Sequence, residues 1–330
     1  ELPLIQLSVL IRTGSMYDPP QKSGLAGVAA QVWRNGGTQK QTSQAIRPGR
    51  LHPNSRPQLF CLPHMILCRY PDDMKFFYPN NFLLGISGDF QTEEMMASLE
   101  QAFGGWERSI IELPYIPLPK SRSPQSIYHA EKDLTQSTIL YGHLSIPLDH
   151  PDHIPFKVLN FLLGGGGFNS RLTREIRSNQ GLAYSVGSFY QGRVGYGVFG
   201  AFCQTKSTST GRVISLLEGI IGGIKTNKPG PEELEWAKNS LINQFIFSFT
   251  SSGNIVTQQM HLEYDGLPAD TLQRYPGRVQ AVSLEDLNRV AENHLHPDQS
   301  ILLVVGKEKD FDQSLSSFGL VNRLELNKYD

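Results

Sequence analysis

Residues 163–172 read LGGGGFNSRL and residues 181–186 read GLAYSV, and these two stretches decide how the chain is interpreted. Residues 154–163 carry apolar side chains at helical spacing, which predicts a helix that ends at the glycine run. A flexible loop is the plain interpretation of residues 164–167. A phosphate-binding loop is not supported, because the run lacks the Lys-Ser/Thr ending of that motif and does not follow a strand.

Length and composition are those of a globular chain. A length of 330 residues favours two domains. A composition of 39% hydrophobic and 18% charged residues excludes a disordered chain. The net charge of −1 offers no basic surface for nucleic acid, and no apolar run reaches the roughly 18 residues of a membrane span. Three cysteines cannot form a disulfide framework. The chain opens on a strand-like segment without Met, so we expect its natural start to be missing, and a periplasmic or cytoplasmic location stays open.

The order of these patterns repeats along the chain. Residues 4–11 alternate as a strand does and are followed by Asp18-Pro19, an apolar-periodic helix and a pair of glycines. Residues 138–146 alternate in the same way and are followed by Asp149-His150-Pro151, a helix and the glycine run. Both halves therefore have the order strand, Asp/Pro turn, helix and glycine stop.

The two halves also end alike. In each, a proline is followed nine positions later by the glycine that ends a strand, at 79–88 and at 297–306. We predict two copies of one α+β module, each a mainly antiparallel sheet with helices packed on one face. The first module spans residues 1–112, a proline-rich linker spans 113–124, and the second module spans 125–330.

The first copy is the shorter one. The Asp-Pro turns lie 131 positions apart but the closing strands lie 218 apart, so the first copy is shorter by about 87 residues. The shortfall falls within residues 39–73, which have neither helical nor strand period. A replaced segment, a genuine deletion and an error in the sequence itself all stay open.

The motifs and their order resemble the pitrilysin/insulinase family of zinc metallopeptidases, which is defined by an inverted zinc motif. The resemblance rests on RTGS at 12–15, GLA at 24–26, LGGGGFNSRL at 163–172, REIR at 174–177 and GLAYSV at 181–186. It covers nearly all of the chain except about residues 39–73. It implies the two-module fold of that family and a link to peptide hydrolysis.

Active members of the family carry H-x-x-E-H directly after the Gly-Leu-Ala motif. Its two histidines lie one helical turn apart and ligate zinc, while the glutamate activates a water. Here those three positions hold Gly27, Ala30 and Gln31, whereas a catalytic zinc needs three protein ligands. The family's third ligand, a glutamate on a later helix, would fall in the missing stretch. The resemblance therefore implies that this chain has no metal site or cofactor of its own, and that zinc is held by a partner.

Arg177 and Tyr184 match an arginine and a tyrosine, seven positions apart, that the family supplies to the active site from its second half. A guanidinium and a phenol are donors suited to a peptide carbonyl and to the oxyanion formed when water attacks it. Outside such a motif they would be interpreted as a solvated helix charge and a core aromatic. Resemblance to the noncatalytic subunit of mitochondrial processing peptidase also implies that the glycine-rich loop touches the incoming peptide. That loop contains Gly164, Gly165, Gly166 and Gly167.

Other candidates for a site are weaker. His143, His150 and His153 surround the Asp/Pro turn of the second half. Exposed or structural histidines are commoner than metal ligands at such a turn, so we predict no metal site there.

The sequence thus predicts a noncatalytic, zinc-less peptidase-like subunit that binds peptide and supplies Arg177 and Tyr184 to the active site of a zinc-bearing homologous partner. A structural or binding protein of the same fold, like the core subunits of the respiratory cytochrome complex, is one alternative. A fragment of an active metallopeptidase whose zinc site lies elsewhere is another. The third is an unproductive gene product whose shortened module does not fold.

Overall fold

A computed structural model of the chain describes residues 4–19, 22, 24–27, 76, 78–109, 112, 115, 117–118 and 125–325. By its internal contacts the chain divides into two compact units. The first comprises Glu1–Pro117 and Phe249–Ala269, and the second comprises Leu118–Ser248 and Asp270–Asp330. The predicted homologous modules concern a repeat in the sequence rather than these contact units, and their boundaries stay a prediction.

The described residues form eight strands and seven α-helices. The strands are β1 Ile5–Ile11, β2 Phe82–Gly88, β3 Ser126–Glu131, β4 Gln136–Ser145, β5 Ala183–Gly192, β6 Gly197–Lys206, β7 Ile301–Gly306 and β8 Val321–Leu324. The helices are α1 Thr92–Phe103, α2 His153–Asn160, α3 Thr210–Gly223, α4 Pro231–Phe247, α5 Ser252–Tyr264, α6 Thr271–Gln280 and α7 Leu284–His294. No helix in this part of the chain is long and apolar enough to cross a membrane.

The first unit is built on the antiparallel pair β1–β2, with Ile5 opposite Gly88 and Ile11 opposite Phe82. Helix α5 packs against both strands. The Asp18 carboxylate of the predicted Asp-Pro turn accepts hydrogen bonds from the amides of Gly24 (2.8 Å) and Ala26 (3.0 Å). These amides lie at the start of a helical turn at residues 25–27, so Asp18 caps that turn.

The second unit contains a six-stranded sheet in the order β5-β6-β4-β7-β3-β8. Neighbouring strands are antiparallel except where β3 pairs with β7 and β8, which it does in parallel. The predicted α+β class with a mainly antiparallel sheet is confirmed. The alternation predicted for 138–146 is also present, since β4 buries Ile139 and Tyr141 and leaves Leu140 exposed.

One hydrophobic core fills the second unit between the sheet and its helices. Because a β-strand directs alternate side chains to one face, β4, β6 and β7 each bury every second residue. The largest side chains that are fully buried are Phe156, Phe199, Ile127, Ile139, Leu159, Leu162, Leu163, Leu172, Ile176, Ile214, Leu217 and Ile221. The site described below is anchored on this core.

Helix α2 continues into a π-helical turn at Phe161–Gly165, so the predicted helix over 154–163 runs two residues further and is capped by Gly166. Gly164 is buried against β5. A Cβ atom at this position would lie 2.7 Å from the Oγ of Ser188 and still closer to its amide nitrogen. The glycine run therefore allows the backbone of this turn to approach the backbone of β5, which no larger residue would permit.

An ion-pair network ties the start of α2 to α7. The Asp152 carboxylate accepts from the Arg289 guanidinium at 2.6 Å and faces His294 Nε2 at 2.8 Å. The Asp152 and His294 side chains are only 13% and 11% exposed. Burial raises the pKa of Asp152, but the hydrogen bonds from Arg289 and His294 outweigh it and leave the pKa below its ordinary value.

Replacing Gly164 with alanine should destabilise the protein by about 1–3 kcal/mol, because the added methyl group has to push two backbones apart. Gly219 is a matched control, since it lies in α3 and a Cβ there would meet no atom within 4 Å. Gly219→Ala should stabilise the helix by up to about 1 kcal/mol. Urea unfolding measures both variants, and equal stability of Gly164→Ala and the wild type would contradict the close approach.

Asp152→Asn should lower the free energy of unfolding at pH 7 by about 1.5–3 kcal/mol, the usual value for hydrogen bonds to a charged group. The pKa of Asp152 is lowered by folding, so its contribution is present above the unfolded pKa of about 3.9 and disappears as the pH falls through the folded value. Thermal or urea unfolding of wild type and variant from pH 7 to pH 3 should therefore show a gap that closes in acid. The exposed Asp149, changed to Asn, is the control, and a gap that does not depend on pH would contradict this origin.

Candidate functional site

Arg177 lies on an exposed face of a second π helix, Thr173–Asn179. Thr173 and Ile176 of the same helix are buried, so the helix is anchored on the core while Arg177 is exposed. The Arg177 guanidinium carbon lies 4.8 Å from the centre of the Phe168 ring. π-helical turns are rare in proteins, and those that occur often lie at functional sites.

A tight turn joins Arg177 to the strand that carries Tyr184. The amide of Gly181 donates to the Arg177 carbonyl at 3.1 Å, and the amide of Leu182 donates to the Ile176 carbonyl at 2.9 Å. Gly181 has a φ of 64°, a conformation that favours glycine. The turn thus closes the π helix and leads directly into β5.

A β-bulge exposes Tyr184 at the start of β5. Ala183 is paired with Thr205 and Ser185 with Gln204, so two steps along β5 face one step along β6. Bulges of this kind redirect a side chain and are common beside active sites. Ala183 is buried, whereas Tyr184 is 79% exposed.

The glycine-rich loop is packed at one end and open at the other. A Cβ at Gly164 would meet Ser188, and one at Gly166 would meet the Trp236 ring at 2.5 Å. Gly165 and Gly167 are exposed, and Gly167 has a φ of 68° with open space where a side chain would project. The plain interpretation as a flexible loop is therefore too simple, because Gly164 and Gly166 lie where a side chain would collide with neighbouring residues.

Hydroxyl groups fasten the open half of the loop to the structure beneath it. Ser170 Oγ donates to the Gly167 carbonyl at 2.6 Å and lies 3.1 Å from Thr173 Oγ1. Thr173 Oγ1 in turn donates to the carbonyl of Val186 in β5 at 3.1 Å. The loop, the π helix and β5 are thus joined through these two adjacent hydroxyl groups.

Arg171 is a further anchor, which the sequence alone does not reveal. Its guanidinium donates to both carboxylate oxygens of Glu233, at 2.9 Å and 2.6 Å, and to the Asn227 carbonyl at 2.5 Å. The hydrogen bond from Arg171 is the largest cause that keeps the pKa of Glu233 below its usual value. Because Glu233 also accepts from the Gly230 amide, this pair fixes the loop to the first turn of α4. The start of α4 is visible in the sequence as acidic residues in its first turn. The pairing of Glu233 with Arg171, 62 positions away, leaves no such local pattern.

The donors available at this surface are thus Arg177 and Tyr184, both exposed on elements that are anchored in the core. They can donate hydrogen bonds to a carbonyl or an oxyanion, but they do not supply the three ligands that a catalytic zinc needs. At the zinc-motif positions, Gly27 has no side chain and lies in the helical turn at 25–27, while Ala30 and Gln31 lie outside the described residues. With only hydrogen, methyl and amide groups at these three positions, the donor set does not fit a catalytic zinc.

The histidines near the Asp/Pro turn have structural partners. His143 Nδ1 lies 2.9 Å from the Leu144 carbonyl, and His153 Nδ1 lies 2.9 Å from the Tyr190 hydroxyl. Burial lowers the pKa of His153 to about 4. His150 Nδ1 accepts from the Asp152 amide at 3.0 Å.

Within the described ranges, one group of potential metal ligands comes together, formed by His150, Asp152 and His294. The Arg289 guanidinium occupies one oxygen of Asp152 and brings a positive charge to the group. His150 uses Nδ1 to accept a backbone hydrogen bond, and His294 uses Nε2 for Asp152. We therefore interpret these three residues as part of the ion-pair network between α2 and α7, not as a metal site.

Similar proteins share this architecture. Among solved structures, a peptidase M16 inactive domain from Pseudomonas fluorescens matches with a TM-score of 0.64 and 21% identity, over 84% of this chain and 64% of that one. A protease from Helicobacter pylori also matches with a TM-score of 0.64, at 19% identity over 72% of this chain and 59% of that one. At these identities the likeness concerns the fold.

Proteins of similar sequence carry related descriptions. A non-peptidase homologue, YmxG, of Helicobacter pylori is 28% identical over 243 residues, which are 72% of this chain and 54% of the relative. An uncharacterized zinc protease, YmxG, of Bacillus subtilis is 21% identical over 69% of this chain and 55% of the relative. The chain thus spans about half the length of these relatives.

The family model for the peptidase M16 inactive domain matches residues 74–241. That match covers half of the chain and includes the glycine-rich loop, Arg177 and Tyr184. The resemblance to zinc metallopeptidases with an inverted zinc motif is confirmed, and so is the noncatalytic character of the domain. The chain therefore belongs to the peptidase M16 family and carries that family's inactive domain.

Proposed function

We propose that this chain is a zinc-less M16 subunit that binds peptide and supplies Arg177 and Tyr184 to the active site of a zinc-bearing homologous subunit. The main support for the proposal is that these two donors are exposed at the two ends of the hydrogen-bonded turn around Gly181. Arg177 is exposed on a π helix anchored in the core, and a bulge leaves Tyr184 79% exposed. Both are held on rigid elements, as catalytic groups usually are.

The chemistry expected of this pair is the stabilisation of charge. When a zinc-bound water attacks a peptide carbonyl, negative charge develops on the carbonyl oxygen. Arg177 offers a positively charged planar donor, and Tyr184 offers a neutral O–H. Donors fixed before the reaction stabilise the transition state without any cost of reorganisation at that moment.

The exposed backbone of the glycine-rich loop supports peptide binding beside this pair. Gly165 and Gly167 are exposed and carry no side chain, so a peptide backbone can come close to them. Gly164 is buried and a side chain at Gly166 would collide with Trp236, so in this proposal these two shape the loop rather than touch the peptide. Peptide contact by the loop stays part of the proposal.

The proposal predicts that a zinc-bearing M16 subunit cleaves peptides faster with this chain than without it. In the reconstituted pair, Arg177→Ala and Tyr184→Phe should each lower kcat by about 10²- to 10³-fold, as loss of one preorganised donor usually does. The zinc content of the partner should stay the same in both. Steady-state kinetics and metal analysis of the purified pair measure these effects.

Two control variants separate this role from a general effect of charge or of a phenol. Arg174→Ala removes a half-exposed arginine from the same π helix, and Tyr115→Phe alters a tyrosine that is 85% exposed elsewhere. Both should leave kcat within about twofold of the wild type, since neither group belongs to the proposed site. A pair no faster than the zinc-bearing subunit alone would refute the proposal and favour a structural role.

A further inference from the structure

Phe168 is a large apolar residue in an exposed position beside the proposed site. It is 66% exposed, and it lies in the short 3₁₀ turn Gly167–Asn169 at the end of the glycine-rich loop. An exposed phenylalanine by itself needs no explanation. This one, however, lies against the guanidinium of Arg177, whose carbon is 4.8 Å from the ring centre.

The backbone around Phe168 is held by contacts of neighbouring residues and not by the Phe168 ring. Ser170 Oγ holds the Gly167 carbonyl at 2.6 Å, and the Arg171–Glu233 pair holds the following turn. The ring is therefore presented to Arg177 from a rigid support. Changing Phe168 should leave this support, and hence the fold, in place.

An arginine side chain on a helix surface has several rotatable bonds and many conformations of similar energy. A ring that lies against the guanidinium selects among them, because the face of the ring attracts the cation. The hydrogen-bonding edge of a stacked guanidinium can still donate, so the stack does not compete with substrate. An exposure of 66% also leaves much of the Phe168 surface accessible beyond Arg177.

We infer that Phe168 is a positioning residue that holds the Arg177 guanidinium, and that the accessible part of its ring forms an apolar subsite for a side chain of the bound peptide. The subsite rests on the proposed function, whereas the stack on Arg177 can be tested without it. The substrate class is then a peptide with an apolar side chain close to the carbonyl that Arg177 binds.

The stack is tested on the chain alone by NMR of the arginine side chains. Protons of Arg177 over the ring face should be shifted upfield in the wild type. Phe168→Leu should remove this shift and Phe168→Trp should restore it, whereas Arg174 resonances should stay unchanged in both. Arg177 resonances that do not move in Phe168→Leu would overturn the positioning role.

The subsite is tested by fluorescence polarisation with two labelled decapeptides that differ in one residue, leucine against serine. The wild-type chain should bind the leucine peptide about fivefold more tightly, as expected for partial burial of one apolar side chain. Phe168→Ala should bring the two affinities within about twofold of each other, and Phe168→Trp should retain the preference. Equal affinity of the two peptides for the wild type would overturn the subsite.

Kinetics of the reconstituted pair separate the two roles of Phe168. Phe168→Leu keeps an apolar surface but loses the π face, so it should lower kcat for both peptides and leave the ratio of their KM values in place. Phe168→Ala should lower kcat and also abolish that ratio. Failure of the proposed function has a different signature, in which the pair is no faster than the zinc-bearing subunit although the Arg177 shift responds to Phe168.

Discussion

The close approach of the glycine run to β5 is the constraint on which the site depends. Gly164 lies where a Cβ would collide with the backbone nitrogen of Ser188, so α2 and its π-helical turn lie directly on β5. This contact fixes where the chain leaves the helix and therefore where the exposed half of the loop begins. Protein interiors are packed too tightly to absorb an added methyl group at such a point without a shift.

From this contact, two local irregularities produce the exposed pair of donors. A regular α-helix and a regular strand would continue the burial periods of about 3.6 and 2 residues. The π helix Thr173–Asn179 and the bulge after Ala183 break these periods, and each break accompanies one exposed side chain of the proposed site. The hydroxyl chain from Ser170 through Thr173 to Val186 holds the two irregular elements together.

Part of this arrangement can be predicted from the sequence and part cannot, for physical reasons. The strand predicted at 138–146 occurs as β4 Gln136–Ser145 because one face of it is buried, and burial leaves a period in the sequence. The motif around Arg177 and Tyr184 identified the family, but the bulge beside Tyr184 has no glycine or turn residue of its own to signal it. The Arg171–Glu233 pair joins positions 62 apart, and a single long-range ion pair leaves no local pattern. The α2–α7 network is hidden for the same reason, since Asp152 and His294 are 142 positions apart.

The two residues of the proposed site differ in burial from the residues that hold the second unit together. The exposed Arg177 and Tyr184 side chains contribute little to packing, because they bury little apolar surface. Arg171 illustrates the contrast, since it has the same guanidinium group but is buried, bidentate and engaged with Glu233. Arg177, exposed beside Phe168, presents its guanidinium at the surface. Such a group adds little to the fold and can donate to a carbonyl or oxyanion from outside this chain, which is the role proposed for it.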